Sequence, residues 1–195
     1  MTVSLIIMAA GQSRRMMQNK LFLTYNGQTF IEGVLSLALK MTETELILVI
    51  SSVDVMKIVV PNRVKVVINN QPEKGQSHSV SLGTNQAVGM GYLFLPIDQP
   101  LLRGDVLKAI LEKASETNIV IPESAGKLGS PVYFGRKFRQ ELLEVKGPFG
   151  GRSVRDGHPE AWVKVTVPGE LLKDIDCQED YLALIKYMSK SSVSS

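Results

Sequence analysis

A length of 195 residues fits one domain with a full core, and a content of 44% hydrophobic and 21% charged residues is ordinary for a soluble globular protein. The net charge of +3 comes without a basic run or a basic-aromatic stripe, which argues against nucleic-acid binding. The single cysteine, Cys177, excludes a disulfide within the chain, so we expect a cytoplasmic protein. One cysteine and two histidines also disfavour a His/Cys zinc site. We find no signal peptide and no apolar run of about 20 residues, so we expect no membrane partner.

The first predicted element is a strand over Leu5–Met8, whose continuous apolar run is typical of a strand buried on both faces. A small-residue loop follows, and then three cations, Arg14, Arg15 and Lys20. Loop amides and fixed cations together predict a cradle for a polyanion such as a nucleotide triphosphate. Each arginine alone is equally well explained as a solvated loop charge. The loop residues in this candidate nucleotide site are Ala9, Ala10, Gly11, Gln12 and Ser13.

The next segment predicts a helix from Thr29 to about Met41, with Thr29 and Glu32 forming a capping box. Two buried strands are predicted at residues 45–51 and 64–69, with a short, weak helical segment between them. Strands that alternate with helices in this way are typical of a parallel α/β sheet.

The loop after the third strand is rich in amide and hydroxyl groups, and it precedes a predicted helix that ends near Val88. Such a strand-to-helix loop is suited to binding phosphate or the edge of a nucleobase. For Ser77 alone, capping of the helix is the favoured interpretation. The candidate nucleotide-binding residues here are Asn70, Gly75, Gln76, Ser77 and Ser79.

The fourth predicted strand, Gly91–Asp98, ends in a carboxylate. Open α/β sheets bind ligands at the carboxyl ends of central strands, and a carboxylate there is suited to holding Mg²⁺ against a triphosphate. Taken alone, Asp98 is as readily a turn-initiating residue before Pro100. Its combination with the first loop favours a metal site.

The remaining chain predicts further strands and helices in a less regular order. Asp176 is either a second metal ligand beside Asp98 or, paired with Glu179, the cap of the last helix. Residues 189–195 are rich in serine and are expected to be disordered. The predicted helices span 106–115, 137–145 and 178–188, and the predicted strands lie at 118–122, within 126–134 and, as an outer strand, at 161–167.

The motifs resemble those of a known family. MAAGQSRRM, followed by Lys20, is similar to the AAGxSxRMGxxK signature of MobA-like nucleotidyltransferases, with Met17 where that family has glycine. GQSHSVSLG resembles a segment of the cytidylyltransferase branch, and both the IDQP around Asp98 and the Asp-Ile-Asp that ends at Asp176 resemble family motifs. The resemblance covers about Val3 to Met188.

The resemblance also implies a site for the acceptor substrate. Residues 129–131 are similar to the family's Gly-His-Pro, with Ser130 in place of histidine. Residues 147–152 are similar to its Gly-Asp-x-Gly-(Ala/Gly)-Arg, with Pro148 in place of aspartate. The acceptor-binding residues implied are Gln99, Gly129, Ser130, Pro131, Gly150, Gly151 and Arg152.

The resemblance implies an α/β fold: a single three-layer Rossmann-like domain over residues 1–188, with a mostly parallel sheet and one antiparallel strand near the edge. It implies that CMP passes from CTP to the terminal phosphate of molybdenum-molybdopterin, for a xanthine dehydrogenase-type apoenzyme or its chaperone. Arg15, Lys20 and Asp98 would be catalytic, and Asp98 and Asp176 would hold Mg²⁺. Ala10, where the guanylyltransferase branch typically has glycine, and the Asp-Gln-Pro motif that begins at Asp98 together favour cytosine.

Two other functions fit the same residues. The acceptor could be a sugar 1-phosphate or a polyol phosphate, since Met17, Ser130 and Pro148 depart from the family pattern. The protein could also be a non-catalytic chaperone that binds the cofactor and delivers it without turning over a nucleotide. The chaperone predicts binding without pyrophosphate release, whereas both enzymes predict release.

Overall fold

The structure, a computed structural model, describes residues 2–11, 16 and 18–191. Its strands are β1 Val3–Ala9, β2 Thr24–Tyr25, β3 Gln28–Thr29, β4 Thr44–Ile50, β5 Val64–Ile68, β6 Gly91–Pro96, β7 Ile119–Ser124, β8 Lys127–Leu128, β9 Val132–Gly135 and β10 Trp162–Thr166. Its α-helices are α1 Phe30–Leu39, α2 Ser52–Val55, α3 Gln76–Gln86, α4 Gly104–Glu112, α5 Arg139–Glu144, α6 Arg152–Gly157 and α7 Gln178–Ser191.

The main sheet has the strand order β10-β7-β9-β6-β1-β4-β5, with the short β8 paired to β7. Strand β1 is parallel to both of its neighbours, β4 and β6. Strand β9 runs antiparallel to β6 and β7, two places in from the β10 edge. This arrangement confirms the predicted mostly parallel sheet with an antiparallel strand near its edge. Strands β2 and β3 form a separate hairpin.

Helices cover both faces of the sheet, which gives three layers. The buried residues of β1 alternate between the two faces. Leu5 and Ile7 belong to the core that contains α1 and α4, whereas Ile6 packs in the opposite core with Val80 of α3 and Leu142 of α5. The predicted apolar run is therefore buried on both faces, as expected for a central parallel strand.

The predicted capping box of α1 is present: the Thr29 hydroxyl accepts from the Glu32 amide, and the Glu32 carboxylate accepts from the Thr29 amide. The prediction that Ser77 caps α3 was wrong. Gly75 occupies the N-cap of α3, and the Ser77 hydroxyl donates instead to the carbonyl of Gly150, 73 residues away. Helix α7 extends to Ser191, past the predicted domain end at residue 188.

Arg63 connects the end of α1 to the start of β4. Its guanidinium donates to the carbonyls of Leu39, Met41, Thr42 and Thr44, at 2.6 to 3.0 Å. The planar fork of the guanidinium suits several acceptors at once. The cation also lies at the negative end of the helix dipole, where positive charge is stabilising.

Replacing Arg63 with methionine should lower the free energy of unfolding by about 1–2 kcal/mol, because several charge-assisted hydrogen bonds are lost. Lysine should restore only part of that loss, since it lacks the fork. Urea unfolding measures both. Arg103→Met is the matched control, because Arg103 is exposed and pairs only locally with Asp105. Equal midpoints for Arg63→Met and Arg103→Met would contradict this prediction.

In the part of the chain that the structure describes, no helix combines the length and apolar character needed to cross a membrane.

Candidate active site

The candidate site lies at the carboxyl ends of β1 and β6, two adjacent strands in the middle of the sheet. From β1 the chain continues to β4 and β5 on one side of β1, whereas the later strand β6 lies on the other side. The strand order therefore reverses at β1. Such a reversal opens a crevice at the sheet's carboxyl edge, where α/β proteins bind ligands.

A cleft of about 530 Å³ occupies this crevice. Most of the predicted nucleotide-binding residues that the structure describes lie on its wall, together with both predicted metal ligands. Its lining residues are Met8, Ala9, Ala10, Gly11, Lys20, Leu21, Pro72, Glu73, Gly75, Gln76, Ser79, Pro96, Ile97, Asp98, Pro148 and Asp176. Gln12, Ser13, Arg14, Arg15 and Met17 lie outside the described residues, so their predicted roles stay predictions.

Lys20 meets two carboxylates in the cleft. Its Nζ lies 2.7 Å from Oδ1 of Asp176 and 3.2 Å from Oδ2 of Asp98. The Lys20 side chain is only 11% exposed, whereas the side chain of Asp98 is 26% exposed and that of Asp176 is 39% exposed. Residues 156 positions apart therefore converge on one spot at the carboxyl end of the sheet.

Local bonds fix the backbone on each side of this contact. The side-chain oxygen of Asn19 caps the short 3-10 turn Lys20–Phe22 by accepting from the backbone amide of Leu21. The side-chain amide nitrogen of Asn19 donates to the Asp54 carboxylate. On the other side, the Ile175 amide donates to the Asp98 carbonyl at 2.9 Å.

The start of α7 places Asp176 outside the helix. The helix begins at Gln178, and the carboxylate of Asp180 accepts from the amides of Asp176 and Cys177, which precede it. The Asp176 carboxylate contacts Lys20. The predicted capping pair of Asp176 and Glu179 was therefore wrong, because Asp176 lies two residues before the first helical residue. Its role as a metal ligand stays a prediction.

Three acidic residues shape the electrostatics of the cleft. Burial raises the pKa of the Asp98 carboxyl above its ordinary value, Lys20 opposes that increase, and Asp176 adds to it. Burial, with Asp98 nearby, raises the pKa of Asp174 to about 6. The charge of Asp176 therefore raises the pKa of both Asp98 and Asp174, and the charge of Lys20 lowers both.

The donor set in the cleft fits Mg²⁺. Among residues 2–11, 16 and 18–191, no three or more His, Cys, Asp and Glu side chains group to hold a metal ion, so no complete protein cage exists there. Mg²⁺ rarely uses such a cage; it binds one or two carboxylates together with substrate phosphates. Asp98 and Asp176 would provide that pair, and the open cleft leaves room for phosphate oxygens.

The loop between β5 and α3 forms the opposite wall. The Asn69 amide is buried and donates to the Ser79 hydroxyl at 2.9 Å, which leaves the hydroxyl hydrogen able to donate to a ligand. The predicted residue Asn70 is exposed and lies outside the cleft lining. Sequence reasoning missed Asn69 because it was assigned to the strand end.

A second chamber of about 110 Å³ adjoins the cleft and shares Met8, Gln76 and Pro96 with it. Three of the predicted acceptor-binding residues, Ser130, Gly151 and Arg152, line the chamber. Gly150 lies beside the Gln76 side chain, Gly129 packs near Leu172, and Pro131 follows a cis peptide bond. The other chamber residues, which the motifs did not single out, are Val80, Phe94, Val132, Phe134, Phe149 and Arg155.

Gln99 lines neither the cleft nor the second chamber. Its side chain is buried, and its amide donates to the Leu172 carbonyl at 3.1 Å and to Asp174 Oδ1 at 2.9 Å. Gln99 thus ties the end of β6 to the segment that carries Asp174 and Asp176. The structure does not bring it to the predicted acceptor site, because this long-range pairing holds its side chain on another side of the strand end.

The sequence matches a known family over most of its length. Residues 5–162 match the MobA-like NTP transferase domain. The chain belongs to the MobA-like NTP transferase family. It is therefore a nucleotidyltransferase, and the cleft at the ends of β1 and β6 is its candidate active site.

Individual relatives agree with this membership. The chain is 31% identical over 201 residues to the purine catabolism protein PucB of Bacillus subtilis (strain 168). The aligned region covers 94% of this chain and 96% of PucB. Two solved structures share the fold. A manganese complex of Rv0371c from Mycobacterium tuberculosis H37Rv has a TM-score of 0.80 at 22% identity, covering 95% of this chain and 98% of the other. The Mth528 nucleotidyl transferase from Methanothermobacter has a TM-score of 0.80 at 24% identity, covering 98% and 99%.

Proposed function

We propose that this MobA-like transferase moves CMP from CTP to the terminal phosphate of molybdenum-molybdopterin. The products are molybdopterin cytosine dinucleotide and pyrophosphate. The observation that carries the proposal is the convergence of Lys20, Asp98 and Asp176 in an open cleft at the ends of β1 and β6. One cation and two carboxylates are what a triphosphate with its magnesium requires.

Asp98 and Asp176 would hold Mg²⁺, which neutralises charge on the triphosphate when bound; Rv0371c, which shares the fold, has a solved manganese complex. Lys20 stabilises negative charge that develops as the acceptor phosphate oxygen attacks the α-phosphorus of CTP. The bond from that phosphorus to the β-phosphate bridging oxygen breaks, and pyrophosphate leaves. Such a transfer depends on positioning and charge stabilisation and needs no protein nucleophile.

The second chamber supports a flat acceptor over a sugar or polyol. Its lining combines aromatic rings with the cations of Arg152 and Arg155, and the rings of Phe94 and Phe134 pack edge to face with centroids 5.9 Å apart. At its mouth, Phe149 is 64% exposed, and the Arg152 guanidinium lies 5.7 Å from its ring centroid. Aromatic faces and cations suit a fused heterocycle with a phosphate, whereas a polyol requires many hydrogen-bonding side chains.

The biological role follows from the proposed product. The relative PucB is named a purine catabolism protein, and xanthine dehydrogenase-type molybdoenzymes act on purines. We therefore infer that this protein supplies its product to such an apoenzyme or to the apoenzyme's chaperone.

The test is pyrophosphate release with Mg²⁺ and anaerobically prepared molybdenum cofactor, comparing CTP, GTP, ATP and UTP. We expect release with CTP that depends on the acceptor. Release with GTP would instead reassign the nucleotide. Release only with a sugar 1-phosphate or a polyol phosphate would overturn the acceptor. Binding of the cofactor without release from any nucleotide would favour the chaperone.

A further inference from the structure

The ammonium group of Lys20 occupies the position between the two carboxylates that the proposed function assigns to the metal. It lies 2.7 Å from Asp176 Oδ1 and 3.2 Å from Asp98 Oδ2. A metal ion held by these two carboxylates would occupy the space between them, where the ammonium lies. The ammonium and the ion therefore exclude each other, both by volume and by charge.

The same contact explains why a lysine is tolerated in so buried a position. The Lys20 side chain is only 11% exposed, and a buried cation needs paired anions. The two carboxylates carry like charges, and the Lys20 ammonium lies within 3.2 Å of both, so it offsets their repulsion.

We propose that the Lys20 ammonium fills the metal position until the nucleotide arrives. The inference rests on the metal site of the proposed function. The lysine stem is flexible, whereas its backbone is fixed by the cap from Asn19, so the ammonium can move without the turn. An incoming triphosphate offers the ammonium another anionic partner within the cleft.

This arrangement makes metal and nucleotide binding interdependent. Metal alone must displace the Lys20 ammonium from both carboxylates, at the cost of two ion-pair contacts of a buried cation. Metal that enters with the triphosphate avoids that cost, because the phosphates pair with Lys20. Such coupling is reciprocal, so metal and nucleotide each strengthen the binding of the other.

The experiment measures Mn²⁺ binding to the full chain without nucleotide, with free Mn²⁺ counted by electron paramagnetic resonance. Lys20→Met should bind Mn²⁺ roughly tenfold or more tightly than the natural protein, since the competing charge is gone. Lys20→Arg should bind no more tightly than the natural protein. A structural role for Lys20 would predict weaker binding in Lys20→Met, because the site would lose its geometry.

Lys173→Met is the matched control for a general loss of positive charge. Lys173 is exposed and near Asp176 in sequence, and its charge acts on Asp180. We expect Mn²⁺ affinity to change less than about twofold in this variant, because its charge lies near solvent and is screened. An increase in Lys173→Met equal to that in Lys20→Met would overturn the inference.

Two further variants separate this inference from the proposed metal site. If Asp98→Asn in the Lys20→Met background leaves Mn²⁺ affinity unchanged, the metal site itself is wrong. If Asp98→Asn weakens binding there but Lys20→Met alone matches the natural protein, only the role of Lys20 is wrong. Should Lys20→Met fail to fold, Lys20→Gln keeps a polar side chain without the charge and takes its place with the same expected increase.

Discussion

Replacing Asp98 with asparagine should reduce pyrophosphate release by roughly 10²- to 10³-fold while leaving the protein folded. Asparagine keeps the shape of the side chain and removes the charge that would hold the metal. Burial already disfavours the charged form of Asp98. Removing the negative charge should therefore change the free energy of unfolding by no more than about 1 kcal/mol. Rates with saturating CTP and acceptor, together with urea unfolding, measure both effects.

Asp105→Asn is the matched control for Asp98→Asn. Asp105 is an exposed carboxylate in the first turn of α4, and it pairs with Arg103 away from the cleft. Its neutralisation should leave the rate within about twofold, because exposed ion pairs contribute little. A rate for Asp98→Asn within about threefold of the natural protein would remove Asp98 from the catalytic assignment.

Replacing Gly75 with alanine should destabilise the protein by about 2–4 kcal/mol and lower kcat/KM for CTP. Gly75 has φ +84° and ψ −178°, a region that is essentially restricted to glycine, and a side chain there costs about 1–3 kcal/mol. A Cβ there would also lie 2.8 Å from the Gly147 carbonyl oxygen and 2.9 Å from Pro148 Cα. Both are backbone atoms, so the two loops that bound the cleft must separate.

Gly126→Ala is the control for a positive φ without a steric neighbour. Gly126 has φ +80°, and a Cβ there meets nothing within 4 Å. We expect a loss of only about 1–2 kcal/mol and unchanged activity, since no neighbour moves. Equal unfolding midpoints for the two variants would show that the contact between the loops contributes nothing to stability.

The loops beside Gly75 are joined by more than steric contact. The Ser77 hydroxyl donates to the Gly150 carbonyl, and the Ser81 hydroxyl donates to the carbonyl of Leu143. Helix α3, which borders the cleft, is therefore attached to the segment that lines the second chamber. A disturbance at Gly75 should thus affect both substrates, which the KM values for CTP and for the acceptor can report separately.

Local patterns in the sequence predicted the parts of the fold that neighbouring residues determine. The buried run in β1, the capping box of α1 and the carboxylate at the end of β6 all depend on spacings of a few residues. Those patterns placed Lys20 and Asp98 at the same edge of the sheet, because parallel strands end together. The predicted cleft followed from them.

The pairings that complete the site depend on residues far apart in the chain. Ser77 has the composition of a cap, yet its hydroxyl bonds Gly150 across 73 residues, and Gln99 bonds Asp174 across 75. Asp176 could equally cap a helix until the structure placed it 2.7 Å from Lys20. Local spacing determined which side chains reach the sheet edge, whereas the packing of distant segments decided which of them meet, because a contact between remote residues leaves no periodic signal in either segment.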